Sequence, residues 1–308
     1  MAILSKKQKR KQKILFIFIA LVFFFSGFLA GIASDKFLAS KKSSSVTKNA
    51  QEAIDLATLQ EAVIPQKGYK FKIAWGDLGK KMIDDGVIDE KKLAQAIAGA
   101  DSLPPSVEKY MKGNVSEIEV NAENAQFWVD VLWGLGLANK NKILDEGPMI
   151  TTNGSAANYA STGGYTLGKM DPMQIYSKFS YINLNDQQQK VVEAIADGVF
   201  RPCCGNSTAF PDCNHGMAAL GLIELMVSQG KSKEEIYKTV LAFNSYWFPQ
   251  TYLDVAYHFT KAGRDYAKVP ASQILSKTFS SAMGYQAIRR EVGQIAWPAL
   301  KGAGSCGA

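Results

Sequence analysis

The sequence predicts a mainly α-helical fold, in which an N-terminal transmembrane helix is followed by an exported multi-helix domain with long loops. Apolar residues recur at helical spacing from about residue 51 to Trp297, and few segments alternate with the period of two that is typical of strands. A run of twenty uncharged, mostly apolar residues lies near the N-terminus. The chain has 308 residues, 47% of them hydrophobic, which is enough to bury a sizeable core.

The N-terminal segment predicts a single-pass anchor in the cell membrane. Residues 1–13 carry six positive charges and no negative one, which is typical of a cytoplasmic tail. Residues 14–33 are uncharged and span ~30 Å as a helix, so we place the anchor at 14–34 and the C-terminal domain outside the cytoplasm. A signal peptide cleaved before Ser34 is the alternative, and the length of the apolar run favours an uncleaved anchor. Both interpretations export the domain to a compartment where disulfides persist.

The charge distribution argues against a nucleic-acid partner. The net charge is +7, and six of these charges lie in residues 1–13, which leaves about +1 on the rest of the chain. The body shows no basic stripe of the kind that binds a phosphate backbone. The expected partners are the membrane, through residues 14–34, and a second protein of the envelope.

Composition and helical spacing divide the exported part into four predicted regions. The Ser/Lys-rich residues 35–50 predict a flexible linker, and the small, polar residues 301–308 predict a flexible tail. Residues 51–146 predict one helical subdomain, and residues 147–300 predict a second that contains a Cys/His loop.

Local signals place the elements of the first subdomain. A helix is predicted from about Gln51, and the short segment KGYKFKIAWGDLG predicts a strand or an extended loop. The next segment predicts a helix that stops at Gly86 and a second helix that Asp89 caps. Residues 122–138 predict a strongly amphipathic helix.

The second subdomain is predicted to begin with a long irregular loop, because residues 147–170 are rich in Gly, Ser, Thr and Asn. A helix over Asp186–Val199 then leads to the Cys/His loop. The helix after that loop is predicted to end at Gly230, and Ser232 with Glu235 forms a capping box that starts the next helix.

The stretch RPCCGNSTAFPDCNHGM, residues 201–217, holds three of the four cysteines and one of the two histidines. We call it the cysteine loop. Asp212 is predicted to cap a helix that begins near Cys213, which would place Cys213 and His215 in its first turn. The helix dipole favours a thiolate there and would lower the pKa of Cys213.

One interpretation of the cysteine loop is a metal site. Three thiolates and an imidazole can form a tetrahedral set for Zn or a soft set for Cu(I). The candidate ligands are Cys203, Cys204, Cys213 and His215, with Met217 and His258 as possible additional ligands. The two adjacent cysteines and the lack of Cys-x2-Cys spacing count against it, and His258 is more simply a half-buried helix residue.

Two other interpretations are open. Cys203 or Cys204 could form a disulfide with Cys213, worth roughly 2–3 kcal/mol, and the remaining cysteine could pair with Cys306. Alternatively, Cys213 with a partner across the loop could carry out thiol–disulfide exchange, although Cys-x-x-Cys is absent.

The segment CNHGMAALGLIELMVSQGKSKEEIYKTVLAF resembles exported bacterial helical-hairpin modules in which a cysteine motif is followed by a helix, a turn and a second helix. The thiol-reductase subunits of cytochrome c maturation have this layout, as do the small proteins named for a Pro-Cys-Tyr-Cys-Gly-Cys motif, which are thought to hold metal. The resemblance covers residues 201–245, and this chain has Pro202-Cys203-Cys204-Gly205 in place of either motif. It implies that Cys203, Cys204 and Cys213 are the chemical positions.

Together these features predict a membrane-anchored, exported protein that binds Cu or Zn through the cysteine loop without catalysing a reaction. The alternatives are an envelope thiol–disulfide oxidoreductase and a structural envelope protein with a disulfide-stapled loop. No phosphate loop, Gly-x-Ser-x-Gly elbow or haem-attachment motif is present.

Overall fold

A computed structural model describes residues 54–298, which belong to one compact unit that begins at Ile54. Within those residues, none of the helices combines the length and the apolar character that a membrane crossing requires. The predicted cytoplasmic tail, anchor and linker lie outside the described residues, as do the C-terminal tail and Cys306.

The described chain is mainly helical, as predicted, with one small two-stranded sheet. The elements up to residue 153 are α1 (Leu56–Val63), β1 (Tyr69–Phe71), α2 (Leu78–Asp84), α3 (Glu90–Ala98), α4 (Pro105–Lys112), β2 (Ile118–Val120), α5 (Ala125–Ala138), α6 (Lys142–Glu146) and α7 (Pro148–Asn153). The elements that follow are α8 (Pro172–Ile175), α9 (Asp186–Gly198), α10 (Asn214–Ser228), α11 (Lys233–Trp247), α12 (Pro249–Lys261), a 3-10 turn (Tyr266–Lys268), α13 (Ala271–Ile274), α14 (Lys277–Ser280) and α15 (Ala282–Val292).

Capping side chains set the helix boundaries where the sequence predicts them. The Asp89 carboxylate accepts hydrogen bonds from the backbone N–H groups of Lys91 and Lys92 at the start of α3. Gly86 takes the left-handed conformation after α2, with φ +74°. Ser232 and Glu235 form the predicted capping box of α11.

The centre of the molecule is the pair α5 and α10, which pack closely through glycines. A Cβ on Gly136 would lie 2.1 Å from the Met217 carbonyl oxygen, and one on Gly221 would lie 2.8 Å from the Leu132 carbonyl oxygen. The amphipathic prediction for α5 is wrong, because every residue of this helix except Gln126 is buried. Helices α2, α3, α10 and α11 contact α5, and its burial leaves it no solvent face.

The predicted strand forms β1, which pairs antiparallel with β2 in the register Tyr69–Val120 and Phe71–Ile118. The long loop predicted over residues 147–170 contains the short helix α7, which Pro148 begins at its first position. The turns that follow pack onto the core, because Trp133 Nε1 donates to the Ser161 carbonyl at 2.6 Å.

The C-terminal helices hold the cysteine loop in place. The Phe200 N–H donates to the Leu275 carbonyl at 2.8 Å, and the Ala282 N–H donates to the Cys204 carbonyl at 2.9 Å. Behind this contact, buried Asp254 joins α12 to α15 through Arg289 Nη1 at 2.7 Å. The loop is therefore fixed at both its start and its tip by backbone hydrogen bonds to residues 275–282.

Candidate metal centre

The first part of the cysteine loop is a tight hairpin. Phe200 and Ser207 form an antiparallel bridge, and the Thr208 N–H donates to the Val199 carbonyl at 2.8 Å. The chain turns between these residues, so Cys203 and Cys204 lie at the tip. Both residues are partly exposed.

The second part of the loop returns beneath the tip and enters α10. Cys213 occupies the N-cap position of this helix, and its side chain makes no capping hydrogen bond. The prediction that Asp212 caps the helix is wrong. Its carboxylate is engaged elsewhere, because it accepts from Arg201 Nη2 at 2.7 Å and from Asn206 Nδ2 at 2.8 Å.

The three sulfurs of the loop converge. Ligand atoms of Cys203, Cys204 and Cys213 all lie within 4.8 Å of one another, and the Cys203 and Cys213 sulfurs are 3.5 Å apart. All three cysteines are free thiols, so the predicted disulfide within the loop is not formed. Tetrahedral ligation at ~2.3 Å from the ion requires sulfurs about 3.5–4 Å apart, and the distance between the Cys203 and Cys213 sulfurs lies in that range.

Arg201 lies at the centre of the loop, with 1% of its side chain exposed. Its Nε donates to Cys213 Sγ at 3.1 Å, and its Nη1 donates to the Asn206 carbonyl at 3.2 Å. Its Nη2 donates both to the Phe210 carbonyl at 3.1 Å and to the Asp212 carboxylate. One guanidinium therefore ties the hairpin tip, the returning chain and the start of α10 together.

Arg201 is not among the functional residues that the sequence predicts. Two signals were present, a single arginine directly before Pro202-Cys203-Cys204 and a glycine in the first turn of the following helix. That glycine, Gly216, makes room for the arginine, because a Cβ there would lie 2.4 Å from the Arg201 guanidinium carbon.

The electrostatics of the cluster favour a thiolate at Cys213. Hydrogen bonds from the Cys203 and Cys204 thiols lower the pKa of Cys213 well below its usual range, and Arg201 adds to the effect against the cost of burial. The pKa of Cys203 is raised, most strongly by its hydrogen bond with Cys204 and next by its hydrogen bond with Cys213. The predicted direction of the Cys213 shift is confirmed, but its main cause is the neighbouring thiols.

Cys204 keeps its proton more firmly than a free cysteine does. The Cys203 thiol lowers the pKa of Cys204, but the interaction with Cys213 and burial outweigh this effect and raise the pKa to about 11. Its sulfur also lies 3.8 Å from the Asp212 carboxylate. Cys213 is therefore the thiol of the cluster that ionises most readily, and a metal ion must displace the protons that Cys203 and Cys204 hold.

His215 lies next to the cluster in sequence but not within the group of converging ligand atoms. Its ring is buried against Phe248, with centroids 4.4 Å apart, and Nδ1 lies 2.8 Å from Asn214 Oδ1. Burial lowers the pKa of His215 to about 4, so the imidazole is neutral at physiological pH. In this conformation the predicted Cys3His set is not assembled.

The two possible additional ligands have different surroundings. Met217 is fully buried in the core on α10. His258 Nδ1 lies 3.0 Å from Glu291 Oε1, and its ring packs against Phe259 and Phe279. His258 thus has the partners of an ordinary half-buried helix residue.

The comparisons with known proteins found no match: no family model, no curated protein and no solved structure matches this chain. The resemblance to exported cysteine-motif modules therefore stays a prediction.

Proposed function

We propose that this protein binds a thiophilic metal ion, Cu or Zn, through Cys203, Cys204 and Cys213, and that it does so without catalysing a reaction. The observation that carries the proposal is the convergence of the three sulfurs within 4.8 Å. Thiolates are the ligands that Cu(I) and Zn prefer among protein side chains. All three cysteines are partly exposed, so the cluster lies at the protein surface rather than in the core.

We also propose that the protein acts at the cell membrane. The uncharged residues 14–33 behind a basic tail support a protein that is anchored in the cell membrane with its metal-binding domain outside the cytoplasm. An exported, membrane-attached site suits the capture of metal ions in the envelope or their delivery to a second envelope protein. Fractionation of cells, followed by protease treatment from the outer side, should find the intact chain in the membrane and its C-terminal domain digested. A soluble or protease-protected domain would contradict this location.

Metal analysis of the purified protein tests the binding itself. The full chain, extracted in detergent and kept reduced, is incubated with Cu(I) or Zn(II), desalted and analysed for bound metal. We expect one ion per chain, and we expect Cys213→Ser to lose it because one of three ligands is removed. Cys306→Ser is the matched control, since it removes a cysteine that lies outside the cysteine loop. A wild-type chain that retains no metal would contradict the proposal.

A second candidate function is thiol–disulfide exchange, which the 3.5 Å contact between Cys203 and Cys213 favours. The Cys213 thiolate would attack a disulfide of an envelope protein and form a mixed disulfide, and one partner sulfur would leave as a thiolate. Cys203 would then attack Cys213, release the partner's second thiol and close an internal disulfide. Cys203→Ser should trap the mixed disulfide on a non-reducing gel, whereas metal binding alone predicts no such adduct.

A further inference from the structure

We propose that Arg201 is the positioning residue of this metal site: it holds Cys213 and the hairpin tip in the geometry that lets three sulfurs meet one ion. This inference rests on the proposed function. Arg201 does not ligate the ion, because a guanidinium has donors and no acceptor. It acts through the groups that it binds.

The hydrogen bonds of Arg201 reach every part of the cysteine loop. The Asn206 carbonyl belongs to the tip that carries Cys203 and Cys204, and the Phe210 carbonyl belongs to the returning chain. Cys213 Sγ itself receives the Nε–H, which fixes the direction of this sulfur. The Asn206 side chain adds a second link between the tip and the returning chain, because its amide donates to the Asp212 carboxylate that also binds Arg201.

A planar guanidinium can make these contacts together, and a lysine ammonium cannot. The donors of arginine point in fixed directions within one plane, whereas lysine offers a compact point charge. The side chain is buried, so its own N–H donors depend on these acceptors for partners. Arg201 thus supports the cluster by geometry as well as by charge.

Gly216 is part of the same arrangement. Its missing side chain leaves the space that the guanidinium fills, and a Cβ there would lie 2.4 Å from both Cζ and Nη2 of Arg201. Alanine at this position adds no charge and removes no hydrogen-bonding group. It tests whether the position of the guanidinium matters while the arginine itself is kept.

The consequence for metal binding is pre-organisation. Cys203 and Cys204 come from the tip and Cys213 comes from the N-cap of α10, so a shared ion needs these two segments at a fixed separation. With Arg201 in place, the separation is set before the ion arrives. Without it, the ion must order the loop on binding, and affinity falls. Residues that orient ligands from behind typically change metal affinity by about 10–100-fold.

The test measures the affinity of the full-length chain for Cu(I) and for Zn(II) by competition with a chromophoric chelator. We expect Arg201→Gln, Arg201→Lys and Gly216→Ala each to bind about 10–100-fold more weakly than wild type. Gly205→Ala is the matched control, because it lies beside the cysteine pair and its Cβ would meet nothing within 4 Å. The double variant Arg201→Gln/Gly216→Ala should bind no more weakly than Arg201→Gln alone, since both changes act on one group.

The outcomes separate the two proposals. A wild-type chain that binds neither ion overturns the proposed function and this inference with it. If the wild-type chain binds metal and Arg201→Gln and Gly216→Ala bind it with the same affinity, the inference is overturned and the proposed metal site is retained. Wild-type affinity in Arg201→Lys shows that charge suffices and overturns the positioning role. Circular dichroism of each metal-free variant checks the fold, and Gly216→Ala and Arg201→Lys decide the matter if Arg201→Gln does not fold.

Discussion

Arg201 Nε donates a hydrogen bond to Cys213 Sγ across 3.1 Å, inside a loop whose other two cysteines face the same sulfur. The contact joins a buried cation to the thiol that loses its proton most readily. The opposite end of the guanidinium meets Asp212, so the positive charge is balanced on both sides. The cysteine loop is thus an ionic arrangement as well as a group of thiols.

The Cys213 thiolate should be visible by absorbance. Because its pKa lies well below the usual range, a metal-free, reduced chain should show the ultraviolet absorption of a thiolate at neutral pH. The signal should disappear as the pH is lowered through the Cys213 pKa. Cys213→Ser should remove it at pH 7, whereas Cys306→Ser should leave it unchanged. An equal loss of the absorption in both variants would contradict the assignment of the thiolate to Cys213.

His215 should be dispensable for metal binding by the three sulfurs. Its ring packs against Phe248 and its Nδ1 faces Asn214, so it stands apart from the converging ligand atoms. His215→Phe keeps an aromatic ring at this position and should retain one ion per chain, within about threefold of the wild-type affinity. His258→Phe serves as the control for losing a histidine elsewhere. A loss of bound metal in His215→Phe, with His258→Phe unaffected, would show that the imidazole turns inward when the ion binds.

Asp130 should make the fold less stable as the pH rises. It is 4% exposed on α5, and burial raises its pKa to about 7, against a hydrogen bond from Gln126 that lowers it. Because the folded chain holds this proton more tightly than the unfolded chain, stability falls between about pH 4 and 7 and levels off above that. Asp130→Asn should therefore stabilise the protein at pH 8 by on the order of 3 kcal/mol.

The measurement for Asp130 is urea unfolding at pH 5 and pH 8. The gain from Asp130→Asn should be smaller at pH 5, where the native carboxyl is already protonated. Glu117→Gln is a control at an exposed carboxylate. An equal gain at both pH values would show that the carboxyl does not titrate in this window.

Gly136 should be intolerant of any side chain. A Cβ there would lie 2.1 Å from the Met217 carbonyl oxygen, and both residues are buried where α5 and α10 meet. Gly136→Ala should lower the free energy of unfolding by roughly 2–3 kcal/mol, because α5 and α10 must move apart. Gly205→Ala, where a Cβ has open space, should have little effect. Chemical denaturation compares the two variants, and equal stability would contradict the close approach of these helices.

Local signals in the sequence predicted much of the secondary structure. Helix caps and stops depend only on neighbouring residues, so they can be predicted without knowing the rest of the fold. This holds for Asp89, for Ser232 with Glu235, and for Gly86. The convergence of Cys203, Cys204 and Cys213 could also be anticipated, because a short loop keeps these residues close wherever it folds. The burial of α5 on every face could not be predicted, since an apolar stripe does not show what packs on the opposite face.

The sequence by itself therefore determined a mainly helical chain and a cysteine loop able to bring three sulfurs together. Tertiary structure decided which side chains complete that loop. Arg201 turns inward because Gly216 leaves space and because Asn206, Phe210 and Asp212 offer acceptors, a convergence that residue spacing does not reveal. His215 lies outside the group of converging sulfurs, with its ring packed against Phe248. These choices depend on which groups share buried space, and that is fixed when the helices pack.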